Sequence, residues 1–486
     1  MNRMRFINKK LVIFNIILFV IFFVAAFKIY ETSRKNNLNV ILISVDTLRA
    51  DHMGVYGYSK NTTPNLDNLA KTSTVYTNLR TVVPMTWPSF IGLFTGLEPF
   101  TTRISSNGFT TINPSVATLP DILSKNGYKT AAYDSNIPNI RKEFGEFNFF
   151  LNKEFYYDNG VERYKLNDQF GSDVIVKGAK DWLDNNYKHK FFLWVHLMDP
   201  HAPYFPSDEY KCVINKKYCS SILKKSLNEL DLEHASYQFC QNSKVPDDVV
   251  GEMETLYDGG IKEADYYIGD LLAKIKAMGL DKNTLVIFYS DHGEGFDHNY
   301  YFNHRGILYD SAVKIPLIIR NPIFPLGSKS QNLLANTDIM PTILGMLGIS
   351  TANLNIEGSA NGVGRKYIYS VNNNWTKYSI YDGEFKYIYS LPNSCLLNNQ
   401  KEELYDVKND KNELNNIASK NPKIKGELKD QLFLYLSKYN LPVSPNQTPI
   451  EEDSKLQNKK NEVKKPAADS GILDETQIKE MKSLSY

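Results

Sequence analysis

Apolar runs that stop abruptly at acids or histidines give this chain its frame. Residues 39–45 read NVILISV and end at Asp46. A run that is apolar on both faces and polar only at its carboxyl end predicts a central parallel strand with chemistry at its C-terminal edge. FFLWVHLMDPHAPY (191–204) repeats the figure with His196, Asp199 and His201, and TLVIFYSDHGEG (284–295) repeats it with Asp291 and His292. Between these runs, the patterns at 64–73, 117–127, 172–185 and 257–278 predict helices. In the last, Ile261, Ala264, Ile268, Leu271, Leu272 and Ile275 recur at helical spacing and mark core packing. Asp121 and Asp184, on two of these helices, are read as solvent-facing. Strands alternating with helices predict an α/β fold with a central, mostly parallel sheet flanked by helices.

Past the strand at 314–320 (KIPLIIR) and a helix near 337–346, the pattern changes. KYIYSV and FKYIYSL, with a turn at Asp382-Gly383, predict a small antiparallel sheet, followed by a helix over 424–437. The chain thus divides into an N-terminal segment (1–35), a main α/β domain (36–350), a C-terminal α+β subdomain (351–440) and a tail (441–486). Residues 207–250, rich in Lys, Ser and Cys, read as a segment inserted in the main domain. The tail holds little to bury and is expected to be disordered.

The N-terminal segment changes the expected location. MNRMRFINKK is basic, and the 11–27 run LVIFNIILFVIFFVAAF would cover roughly 25 Å as a helix. That nearly spans a bilayer core of about 30 Å. The excess of positive charge before it favours a cytoplasmic N-terminus, a transmembrane anchor and an exported body. A cleaved signal peptide, with Val24-Ala25-Ala26 as its exit, is the rival. Either places the main domain outside the cytoplasm, periplasmic or extracellular; cleavage would make it secreted.

With 486 residues, 42% of them hydrophobic, the chain can bury a full core. Its net charge of +2 is spread without a basic stripe, which excludes nucleic acid as a partner. The four cysteines, Cys212, Cys219, Cys240 and Cys395, do not have zinc-cluster spacing. Pairing of Cys212 with Cys219 and of Cys240 with Cys395 is one reading, and buried free thiols are the other.

Residues 82–96, VVPMTWPSFIGLFTG, hold the candidate nucleophile, Thr86. A Thr-X-Pro-Ser turn entering a small-residue apolar run is ordinarily a turn into a buried helix. It acquires chemistry only if other polar groups converge on it, and the topology returns Asp46, Asp291 and His292 to the same sheet edge. Two carboxylates buried together need a counter-charge, which a divalent cation supplies. The mixed oxygen and nitrogen donors of Asp46, Thr86, Asp291 and His292 favour one Zn²⁺ or Mn²⁺, with Ca²⁺ or Mg²⁺ less favoured. A bound dication would activate the Thr86 hydroxyl as a nucleophile toward a tetrahedral oxyanion ester. His201, His298 and His304 are candidates to donate hydrogen bonds to that anion or to protonate the leaving alkoxide. His196, inside its strand, is either catalytic or a support for a ligand. Glu294 and Asp297 are candidates to orient histidines or plain surface acids, and His52 is a lesser candidate.

Several longer stretches carry a resemblance. SVDTLRADHMGVYGY and TPNLDNLA (44–70), MTWPSFIGLFTGL (85–97), TLPDILSKNGYKTAA (118–132), WVHLMDPHAPY (194–204), SDHGEGFDHNYYFNHRGILYDSAVKIPLII (290–319) and ELYDVKNDKNEL (403–414) resemble, in order, the sulfatase family of the alkaline-phosphatase-like superfamily. The resemblance implies an alkaline-phosphatase-like fold with a small C-terminal antiparallel sheet and helix. It implies metal-assisted cleavage or transfer at sulfate or phosphate esters, often on a glycan, glycolipid or envelope polymer. It places the metal acids at Asp46 and Asp291 with His292, the nucleophile at Thr86, and substrate-contacting histidines at His201 and His304. The chain departs from the family pattern at Thr86, where Cys or Ser becomes formylglycine, and at Phe90, where an arginine belongs. It also has Asp46-Thr47 in place of paired aspartates, and no match for the lysine of a G-K-W segment after Gly127-Tyr128. The resulting set resembles relatives that transfer phosphoglycerol or phosphoethanolamine through a covalent Thr intermediate. A non-catalytic glycan-binding descendant is the third reading.

Overall fold

The computed structural model describes residue 35 and residues 37–441, apart from 108–111, 114, 135–148, 152–170, 226–229, 231–238, 241–244, 325, 393 and 395–399. The 11–27 run, the tail beyond 441 and Cys395 lie outside the described residues. The transmembrane helix expected from the sequence is corrected here: among the described residues, no helix is long and apolar enough to cross a membrane.

Five parallel strands form the centre of an eight-stranded sheet, in the spatial order Thr284–Tyr289, Asn39–Val45, Phe191–Leu197, Lys129–Asp134 and Phe149–Leu151. Leu317–Arg320 joins antiparallel beside Thr284–Tyr289, and Thr74–Tyr76 and Ser328–Ser330 complete that edge. Alternate side chains of the first strand serve opposite cores. Ile41, Ile43 and Val45 pack under the helices Ser172–Asn186 and Asp247–Ala277. Val40 and Leu42 pack under Thr86–Thr95, Leu119–Lys125 and Ile339–Met346. The register sets Ser44 opposite both His196 and Tyr289, so Asp46, Asp199 and Asp291 emerge from neighbouring strands at one edge.

The helix read as 257–278 starts earlier, at Asp247. Val249, Met253 and Leu256 extend its buried stripe, and Asp247 and Asp248 face the positive end of its dipole. It therefore takes up the last residues of the segment read as an insertion, where Cys212 and Cys219 form a disulfide. Asp184 is paired with Lys274, whereas Asp121 caps its own helix through a reciprocal bond pattern with Thr118.

The C-terminal strands Ile368–Val371, Lys377–Tyr381, Phe385–Ser390 and Glu402–Asp406 form an antiparallel sheet. Helix Pro422–Ser437 lays Leu428, Leu432 and Leu436 on it. A buried ionic network ties this layer to Arg80 of the strand Leu79–Arg80 and to Asp310 of the helix Asp310–Val313 in the main domain. Arg80 donates to both carboxylate oxygens of Asp310 at 2.9 and 2.7 Å, and Lys386 bridges Asp310 and Glu413 at 2.5 and 2.7 Å.

Candidate active site

Thr86 opens the helix Thr86–Thr95, every residue of which is buried. Pro88 lies in its first turn, where backbone N–H groups have no intrahelical partner, so its missing donor is tolerated. The Trp87 backbone N–H donates to Asn107 Oδ1 at 3.0 Å. Ser89 Oγ, one turn on, donates to the Asp291 carbonyl at 2.8 Å, and Asn336 Nδ2 donates to the Ser89 carbonyl at 2.7 Å. These bonds dock the helix start on the loop that follows Thr284–Tyr289.

The docking brings four of the sequence candidates together. Thr86 Oγ1 donates to Asp46 Oδ2 at 3.3 Å and stands 3.3 Å from His292 Nε2. His292 Nε2 is also 3.5 Å from Asp46 Oδ1 and 3.4 Å from Asp291 Oδ2. Its Nδ1 lies 3.0 Å from the Gly293 carbonyl, which can only accept, so the proton sits on Nδ1 and the Nε2 lone pair faces the acids. Gly293 is required beside it, because a Cβ there would lie 2.0 Å from the Ser311 carbonyl oxygen.

Two carboxylate oxygens in this set, Asp46 Oδ1 and Asp291 Oδ2, are buried with no hydrogen-bond partner. Burial opposes ionisation of Asp46, but the surrounding His201, His196 and His292 hold its carboxyl well below the usual range. Burial and then the Asp46 charge push Asp291 far above it. Burial also lowers His292, keeping its ring neutral. Two orphaned acid oxygens and an imidazole lone pair, with ligand atoms from all three residues within 4.8 Å of one another, fit a divalent cation.

Around this set the remaining histidines differ. His196 is fully buried, with Nε2 3.5 Å from Asp46 Oδ2 and Nδ1 2.9 Å from Ser44 Oγ, which in turn accepts from Trp194 Nε1. Burial opposes its protonation, but Asp46 together with the charges of Asp134 and Asp291 raises its pKa. Ser44, which sequence reasoning passed over, was signalled as the one hydroxyl in an otherwise apolar run. His304 stacks over His292 with ring centroids 3.9 Å apart, and His201 lies 5.9 Å from His304. Burial and its two histidine neighbours keep His304 far below the usual imidazole range. Glu294 is buried with Oε1 3.4 Å from His304 Nδ1.

His298 engages elsewhere: Nδ1 meets Asp297 at 2.6 Å, Nε2 meets the Glu413 carbonyl at 3.0 Å, and the ring stacks on Tyr309. Burial opposes its protonation, but Asp297 raises its pKa. His52 bonds Asp258 on the long helix at 2.7 Å. Arg49 is held bidentately by Asp51 at 3.0 and 2.8 Å and donates to the Glu294 carbonyl. Phe90, at the position where the family pattern has arginine, is buried 4.8 Å from Trp194 and 5.0 Å from His196.

Thr47, noted in the sequence only as standing in place of a second aspartate, is a structural joint of the site. Its φ of 56° is left-handed, which for a β-branched residue stores roughly 1–3 kcal/mol of strain. Its N–H donates to Asp291 Oδ1 at 3.3 Å.

Comparison with known proteins agrees with this geometry. The model of the family described as Sulfatase matches residues 38–349. A sulfatase of Formosa agariphila is 26% identical over 362 residues, covering 64% of this chain and 69% of that protein. An arylsulfatase of Clostridium perfringens is 25% identical over 448 residues, covering 78% and 90%. The phosphonate monoester hydrolase of Agrobacterium radiobacter shares the fold, with a TM-score of 0.64 at 19% identity over 83% of this chain and 96% of that one. An α/β fold with this C-terminal layer, a cluster fit for a metal and a family match over most of the chain agree: the protein is an ester-hydrolysing enzyme of the sulfatase family.

Proposed function

We propose that the chain cleaves or transfers a sulfate or phosphate ester with Thr86 as nucleophile. The observation that carries this is Thr86 Oγ1 lying 3.3 Å from both Asp46 Oδ2 and His292 Nε2, at the buried start of a helix. Asp46, Asp291 and His292, with Thr86 beside them, would hold one divalent cation. When bound, that cation supplies neutralisation of the paired acids and a lowered pKa for the Thr86 hydroxyl. In the ground state the Thr86 hydroxyl donates a hydrogen bond to Asp46, which stays ionised, and with its pKa lowered the hydroxyl would lose its proton to solvent before attack. Attack forms a bond from Oγ1 to the ester's central atom as the bond to the leaving alkoxide breaks. His304, held neutral, would donate a hydrogen bond to the developing anion, and His201 would protonate the leaving oxygen. His196 keeps Asp46 ionised and oriented. Water or an acceptor alcohol then takes the group from the covalent Thr ester.

A pair of residues favours a covalent Thr ester over aldehyde chemistry. Threonine cannot yield the formylglycine aldehyde, and buried Phe90 leaves no guanidinium where the family pattern has one, so resolution of a Thr ester replaces aldehyde chemistry. An anionic ester on a glycan, glycolipid or envelope polymer is the substrate class. The Cys212–Cys219 disulfide supports placing the domain outside the cytoplasm.

The test is a panel of sulfate esters, phosphomonoesters and phosphodiesters with Mn²⁺ or Zn²⁺, with Thr86→Ala beside the wild type. Metal-dependent release that disappears in the variant is expected. Release unchanged by the substitution would contradict the proposal.

A further inference from the structure

The long helix Asp247–Ala277 supplies none of Asp46, Thr86, Asp291 and His292, yet its turn from Tyr257 to Gly260 seats segments that carry or flank them. The Tyr257 hydroxyl donates to the Thr47 carbonyl at 2.7 Å and accepts the Arg49 N–H at 2.9 Å. Asp258 accepts from Tyr58 at 2.7 Å and Lys60 at 2.9 Å and pairs with His52 at 2.7 Å. A Cβ on Gly260 would lie 2.4 Å from the carbonyl oxygen of Asp199, two residues before His201.

Tyr257 acts where the backbone is least at ease. Thr47 is left-handed at φ 56°, its N–H bonds Asp291 Oδ1 at 3.3 Å, and its Oγ1 bonds the Asp46 carbonyl at 2.7 Å. Relaxing Thr47 to a negative φ would swing that N–H away from Asp291 and rotate the Asp46 carboxylate with the turn. The clamp on its carbonyl opposes this.

We infer that Tyr257 is a positioning residue: its hydroxyl holds Thr47 in the left-handed conformation and so sets Asp46 and Asp291 at a separation that binds a divalent cation. The inference rests on the metal reading above. Tyr257 is wholly buried, with its ring centroid 5.1 Å from those of His52 and Phe296, so Tyr257→Phe keeps the packing and removes the hydroxyl's two bonds, the clamp on the Thr47 carbonyl and the one accepted from the Arg49 N–H.

Mn²⁺ titration calorimetry on the full-length chain tests it, with Asp46→Asn, Tyr257→Phe, and Tyr257→Phe combined with Thr47→Gly. The wild type should bind and Asp46→Asn should not. Tyr257→Phe should unfold cooperatively when metal-free and bind about 10- to 100-fold more weakly. Adding Thr47→Gly should recover most of that loss, because glycine takes positive φ without strain. With the Asp46→Asn control behaving, wild-type affinity in Tyr257→Phe, or a double variant as weak as the single one, would overturn the role of Tyr257 alone. A wild type that binds no Mn²⁺ would remove the metal reading and this inference together.

Discussion

Thr86 Oγ1 and His292 Nε2 stand 3.3 Å apart with neither holding a proton for the other. The threonine proton is directed to Asp46, and the histidine proton lies on Nδ1, toward the Gly293 carbonyl. Two lone pairs facing one another across a buried gap define a place for positive charge. They also separate the nucleophile from the ligands, because Asp46, Asp291 and His292 can bind a cation without the hydroxyl.

Thr86→Val, which keeps the side-chain shape, is therefore expected to lower kcat by roughly 10³-fold or more while the variant still binds metal. Thr86→Ser keeps the hydroxyl and should retain measurable turnover. Steady-state kinetics beside Mn²⁺ titration separates the two effects.

Asp291 carries the opposite signs in the metal-free and metal-loaded protein. Without metal, burial and the Asp46 charge raise its pKa, so its ionised form destabilises the fold at neutral pH. Asp291→Asn should raise the melting temperature of chelator-treated protein. The same change should abolish the increment from metal, which for the wild type is about 2.7 kcal/mol at a hundredfold excess over Kd. Paired thermal melts with and without Mn²⁺ check both signs.

Glu98 predicts a pH dependence away from the site. Burial pushes its carboxyl up to about 7 from 4.5, against the opposing pull of Arg365. Between those values the folded state binds more protons than the unfolded state, so stability falls as pH rises. Glu98→Gln should match the wild type near pH 4 and exceed it in melting temperature at pH 8. A difference of the same size at both values would contradict this.

The network joining the two layers should be unforgiving of a single deletion. Asp310→Asn leaves Arg80 and Lys386 buried beside a neutral amide, and breaking such a pair typically costs about 3–5 kcal/mol. Urea unfolding measures the loss.

Much of the frame was legible because the central strands are buried on both faces. NVILISV and TLVIFY could be read without knowing their partners, and Asp46, Asp291 and His292 followed as the residues at their ends. The start of the long helix was less legible, since Glu252 and Thr255 are polar yet buried and interrupt the apolar stripe. The roles of Tyr257 and Thr47 were invisible for a different reason: their bond joins residues 210 positions apart, and a left-handed threonine leaves no compositional trace. His298 lies near Asp291 in the chain, and its ring nitrogens meet Asp297 and the Glu413 carbonyl, contacts that no sequence pattern announces.

The most direct measurement is acid quench of the metal-loaded protein during turnover of a phosphodiester or sulfate ester, followed by peptide mass spectrometry. A mass increment of the transferred group on Thr86, absent from Thr86→Val, is the expected result. Turnover with Thr86 unmodified, or an adduct on another residue that persists in Thr86→Val, would contradict the claim that this hydroxyl is the nucleophile.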